Sequence, residues 1–101
     1  SEGERLLKTV RPQDVLIAMD EGGKCMPSRD FAAFLRQLHD SGKVPCFVVG
    51  GAYGLSDALL RSAGHRLSLG PMTLPHELAR VVLLEQLYRA ENILSGTGYH
   101  H

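Results

Sequence analysis

The sequence predicts an α/β domain built on a mainly parallel sheet, and three observations carry that prediction. Two runs, "DVLIAMD" (14–20) and "VPCFVVGG" (44–51), are apolar almost throughout, as strands buried on both faces are. A third, shorter run, "HRLSL" (65–69), has the same character in its second half. Patterns of helical period alternate with these runs, and strands alternating with helices build parallel sheets. Each run is followed by a loop at the strand end where such sheets bind ligands: "DEGGK", "GGAYG" and "GPMTLP".

Taken in order, residues 3–9 set Leu6 and Leu7 among charges and suit a short helix. The first strand covers 14–20, and "EGGKCMP" is expected to be a loop. Ser28 is placed to cap "RDFAAFLRQLHD", in which Phe31, Phe34, Leu35 and Leu38 recur at helical spacing. Gly42 stops that helix. The second strand tolerates Pro45 because it stands near the strand's start. Ser56 and Asp57 open a short helix that Gly64 ends, and the third strand follows at 65–69. Pro75 suits a first helical turn, where its missing N–H would be unpaired in any case. The last helix, from about His76 to Leu94, spreads Leu78, Val81, Val82, Leu84, Leu87, Tyr88 and Ile93 over more than one stripe. Such a helix is expected to be covered on two sides, by the sheet and by a second subunit.

At 101 residues the chain has room for one domain, and a domain this small gains much from a partner. Its 11 basic and 11 acidic residues cancel, so no global charge draws it to nucleic acid, and any RNA contact needs a local patch. Cys25 and Cys46 have neither CxxC spacing nor a histidine cluster and read as free thiols of a reducing compartment. No run of apolar residues reaches membrane-spanning length and no leader pattern is present, so the expectation is a soluble, cytoplasmic protein. "SEGERLLKTV" opens in what reads as the middle of a helix, and a longer parent chain is expected upstream.

The chemistry is concentrated in the loops. "VVGGAYGLS" sets Gly50, Gly51 and Gly54 between a strand and a helix, where glycine lets backbone N–H groups approach a ligand, or simply makes a tight turn. It is neither a dinucleotide fingerprint nor a phosphate loop. "GPMTLP" joins backbone polar groups to the apolar side chains of Met72 and Leu74, a mixture that suits a flat purine ring or a loop packed for stability. His76 and Arg80 stand four residues apart on one helix. With Arg66, Arg89 and the terminal histidines they make a candidate phosphate-binding patch, or a solvated helix start. Tyr53 can stack on a base or merely pack, and Asp20 and Glu21 are carboxylates at a strand end. No Ser-His-Asp arrangement and no metal-ligand spacing is visible, so no metal is expected.

Together, "FVVGGAYGLSDALL" and "LSLGPMTLPHELARVVLLEQLYRAENILSGTGYHH" resemble the SPOUT superfamily of methyltransferases, in its branch acting on bacterial large-subunit ribosomal RNA. The likeness spans essentially the whole chain, and the motifs are specific in combination. It implies methylation at N3 of a pseudouridine in 23S rRNA, with S-adenosylmethionine as donor and the ribosome as setting. It also implies a homodimer and a C-terminal deep trefoil knot, one of the rare exceptions to un-knotted topology. Mapped onto this sequence, the cofactor contacts fall on Met19, Gly51, Leu69, Gly70, Pro71, Met72, Thr73 and Leu74. His76, Arg80, Tyr99 and His100 match positions on the RNA-facing side. No residue is assigned as the base that takes the N3 proton. The whole chain, 1–101, then corresponds to an N-terminally truncated SPOUT domain, lacking a strand and a helix that open the family's chains. Pro71 also departs from the family's more usual polar residue; it stiffens φ and removes one N–H. The competing readings are a cofactor-binding but inactive fragment and a non-catalytic α/β dimer that binds RNA.

Overall fold

The apolar run that opens at Asp14 becomes the middle strand of a three-stranded parallel sheet. The computed structural model describes residues 9–51, 54–96 and 98. Its elements are β1 (Asp14–Cys25), α1 (Ser28–Asp40), β2 (Val44–Val49), α2 (Asp57–Ser62), β3 (His65–Ser68) and α3 (His76–Ser95). The sheet order is β2-β1-β3, so the chain crosses over β1 between its second and third strands. Apart from Thr9, the helix expected over 3–9 lies outside the described residues, as do Tyr53, Tyr99, His100 and His101.

β1 is buried on both faces, which is why its sequence does not alternate. Ile17 is fully enclosed, and it shares a core with Phe31 and Ala32 of α1, Leu67 of β3, and Leu83 and Ala90 of α3. The neighbouring positions Leu16 and Ala18 are buried as well, and α2, with its buried Leu59, packs on β1. Phe31 and Phe47 meet edge to face at 6.0 Å, an arrangement that the ring quadrupoles favour. α1 and α3 pack against each other across this core.

Two expectations are corrected. Residues 21–25 are not a free loop: β1 runs on to Cys25, because β3 offers partners for Lys24 and Cys25. Both Met19 and Lys24 pair with Leu67, so the four residues between them form a large bulge. Ser28 does not cap α1. Pro27 occupies the cap position without a side-chain bond, and the Ser28 hydroxyl instead donates to Gln86 Oε1 of α3 at 2.6 Å. The short helix is capped as expected, with Ser56 Oγ accepting from the Leu59 N–H at 3.2 Å. Pro75 stands at the cap position of α3, one residue before the first turn, and Gly96 closes that helix in the left-handed conformation.

α3 is apolar on two sides. Leu83 and Ala90 face the core, while Leu78, Val81, Leu84 and Tyr88 form an exposed stripe, with Val81 61% and Leu84 59% accessible. No described helix is long and apolar enough to cross a membrane.

Candidate functional site

The ends of β2 and β3 and the bulge of β1 open into one cavity of about 710 Å³. Met19, Asp20 and Glu21 reach it from the point where β1 leaves its pairing with β3, and Val49, Gly50 and Gly51 from the end of β2. The segment from Ser68 to Pro75 closes the far side, and His76 and Ala79 form the floor at the start of α3. This is the crevice beyond the strand ends where open α/β sheets hold ligands. Its volume lies within the range of small-molecule pockets, and its lining mixes apolar side chains with backbone polar groups.

Local forces shape each wall. After β2 the chain folds back on itself: the Gly54 N–H bonds to the Gly51 carbonyl at 3.0 Å. A side chain at Gly50 would stand 2.8 Å from the Gly54 carbonyl carbon, so only glycine permits this closure. After β3 the buried Ser68 ties the loop down from both directions. Its hydroxyl donates to the Gly70 carbonyl at 2.8 Å and accepts from the Gly70 N–H at 3.0 Å. Met72 is left 80% exposed at the rim, an apolar side chain with no core to enter.

The wall from β1 is the bulge of residues 20–23. Bulges beside functional sites re-aim side chains, and here the bulge sends Asp20 and Glu21 to the cavity. Asp20 Oδ2 accepts from Arg66 Nη2 at 2.5 Å and from the Gly22 N–H at 3.2 Å. The pair is partly exposed, at 48% for Arg66 and 27% for Asp20, so it contributes less to stability, at most about 1 kcal/mol, than to the aim of the carboxylate.

Of the eight positions matched to cofactor contacts, Met19, Gly51, Leu69, Gly70, Met72, Thr73 and Leu74 line this cavity, and Pro71 does not. The candidate basic patch is dispersed. His76 opens onto the cavity, whereas Arg80 lies along a separate groove between β2 and α3. Arg66 is engaged with Asp20, and Arg89 donates to Glu85 Oε2 at 2.8 Å. Ser68 and Ala79 escaped the sequence reading. Ala79 stands one turn after His76, which was the available signal; Ser68 had none, being a serine inside a strand.

Cys25 is exposed and Cys46 half-buried, and both are free thiols. Burial, seconded by the charge of Asp14, pushes the Cys46 thiol above its ordinary range. Among the described residues, no three His, Cys, Asp or Glu side chains gather as a metal would require.

Comparison with known proteins agrees with this geometry. Residues 1–100 match the family model described as "Predicted SPOUT methyltransferase". The chain is 55% identical over 101 residues to the ribosomal RNA large subunit methyltransferase H of Nitratidesulfovibrio vulgaris strain DP4, covering 99% of this chain and 65% of that protein. The protein of the same name from the Miyazaki F strain is 59% identical over the same shares. That from Lawsonia intracellularis is 48% identical, with 64% of its length covered. The chain thus spans about 65% of the length of the curated relatives it matches. With a strand-end cavity built from its motif residues and a family match along nearly all its length, this chain belongs to the SPOUT methyltransferase family.

Proposed function

We propose that this chain carries the S-adenosylmethionine site of a methyltransferase that modifies N3 of a pseudouridine in 23S ribosomal RNA. The observation that carries the reading is the convergence of seven motif residues, from β1 and the segments after β2 and β3, on one cavity. The relatives' name, ribosomal RNA large subunit methyltransferase H, supports an rRNA substrate.

The lining fits the cofactor's chemistry. Leu55, Leu69, Met72 and Leu74 offer apolar surfaces for a purine ring, and the backbone of Gly50, Gly51 and Gly70 offers hydrogen bonds at its edge. When bound, the sulfonium supplies an already electrophilic methyl group. The protein's own contribution is therefore position. The Ser68 clamp fixes the loop at Gly70, and the closed glycine turn fixes the opposite wall.

In this proposal residues 1–101 form one SPOUT domain whose segments around Gly50–Gly54 and Leu69–Pro75 belong to a deep trefoil knot. The exposed stripe of Leu78, Val81, Leu84 and Tyr88 is the face of a homodimer. His76, Arg80, Tyr99 and His100 meet RNA within the ribosome, in the cytoplasm. The rival reading, an RNA-binding dimer without catalysis, has less behind it: Arg66 and Arg89, two members of the candidate basic patch, are each committed to a carboxylate.

The test is transfer of a labelled methyl group from S-adenosylmethionine to ribosomes, followed by digestion and mass spectrometry of the nucleosides. Label on N3 of pseudouridine is the expected result. Label on another nucleoside, with none on pseudouridine, refutes the assignment.

A further inference from the structure

We propose that Asp20 is the ribose-reading residue of the cavity: its free carboxylate oxygen accepts hydrogen bonds from the 2′- and 3′-hydroxyls of a bound nucleoside. The inference rests on the cofactor reading above and goes beyond it, to a residue outside the eight positions matched to cofactor contacts.

Four features of the structure build this carboxylate into place. It stands on the central strand directly after Met19, where the pairing with β3 breaks, and on the cavity wall. The strand reaches it through a bulge that closes again at Lys24 and Leu67. The bulge requires glycine at position 23, since a Cβ there would lie 2.6 Å from the Arg66 carbonyl carbon. Finally, Oδ2 is held from two sides, by Arg66 and by the Gly22 N–H. Oδ1 has no partner among the described residues.

The chemistry of the pair selects the ligand group. A carboxylate only accepts hydrogen bonds, so its partner must donate. A purine nucleoside with an amino-acid tail offers three donors: the ring amino group, the ribose diol and the α-ammonium. The ring belongs against the apolar wall of Met72 and Leu74. The ammonium is best met by an uncompensated charge, and Glu21, next in sequence and also on the wall, has no ion pair among the described residues. Asp20 is already neutralised by Arg66 and offers acceptor geometry rather than net charge. A diol needs that and no more. An acidic side chain at a strand end serves a ribose in the same way in dinucleotide-binding sheets.

The test is calorimetric binding of S-adenosylhomocysteine, a non-reacting probe, and of its 2′-deoxy and 3′-deoxy analogues to the 101-residue chain. Loss of at least one hydroxyl is expected to weaken binding by about tenfold or more, as for hydrogen bonds to a charged group. In Asp20→Ala the parent probe is expected to weaken by a similar factor, and the deoxy analogues to show no further loss. Should Asp20→Ala unfold, the deoxy series on the unsubstituted chain still decides. Parent binding with indifference to both hydroxyls overturns the inference and leaves the cofactor site standing. Equal deoxy penalties in the chain and in folded Asp20→Ala also overturn it. No binding of the parent overturns the inference together with the cofactor reading on which it rests.

Discussion

Replacing Gly23 by alanine tests how the site is built. A Cβ at this position would stand 2.6 Å from the Arg66 carbonyl carbon, 2.7 Å from its oxygen and 2.8 Å from the Leu67 carbonyl carbon. The nearest of these falls about 0.8 Å short of ordinary contact at 3.4 Å. All three atoms are backbone, so no side chain can swing away. The end of β1 must separate from β3, and the pairing of Lys24 with Leu67 loosens. Overpacking of this kind destabilises by about 1–3 kcal/mol, which for a domain of this size lowers Tm by about 5–20 °C. Gly22→Ala is the control: a Cβ there meets only side-chain atoms, Asp20 Oδ2 at 3.2 Å and Arg66 Nη2 at 3.6 Å, and no backbone within 4 Å. A change within about 0.5 kcal/mol is expected there. Thermal unfolding followed by circular dichroism measures both variants. A Gly23→Ala protein that melts with the unsubstituted chain would show that the close approach of β1 and β3 at the bulge is wrong.

Other perturbations separate binding from folding. Met72→Ala removes a side chain that is 80% exposed, so Tm should shift little while S-adenosylmethionine binding weakens several-fold; a large stability loss with unchanged binding would place Met72 in the core instead. Glutamates at Val81 and Leu84 should leave the secondary structure intact and convert any dimer to monomer in sedimentation, since both side chains already face solvent within one chain; a doubly substituted protein that still dimerises excludes the stripe as the interface. Iodoacetamide should label the exposed Cys25 before Cys46 at neutral pH. Burial holds the Cys46 thiol in its protonated form, and the thiolate is the reactive species. Labelling of Cys46 should therefore catch up only at alkaline pH, and peptide mapping showing equal rates at neutral pH would contradict that environment.

The sheet was legible because its central strand is buried on both faces, and such a strand announces itself as an unbroken apolar run. The extension of β1 was not legible. Glu21, Gly22, Gly23 and Lys24 carry loop chemistry, and the strand resumes only because Lys24 and Cys25 pair with Leu67 and Ser68, more than forty positions along the chain. Ser28 misled for a related reason: its hydroxyl is committed to Gln86 across the α1–α3 contact, a tertiary bond that outweighs the local preference for capping. The cavity was foreshadowed by three loops after three strands, since a parallel sheet brings all its strand ends to one side. His76 and Arg80 were expected to act together. Four residues turn the helix by about 40° and raise it by about 6 Å, enough for one side chain to face the cavity and the other the groove beside β2. The aim of Asp20 depends on Arg66, a pairing that no local pattern encodes.

The most direct measurement is a calorimetric titration of the 101-residue chain with S-adenosylmethionine. One molecule bound per chain is the predicted result, because the motif residues of one chain converge on one cavity. No binding, by heat and by a competition assay, would contradict the claim that these loops form the cofactor site.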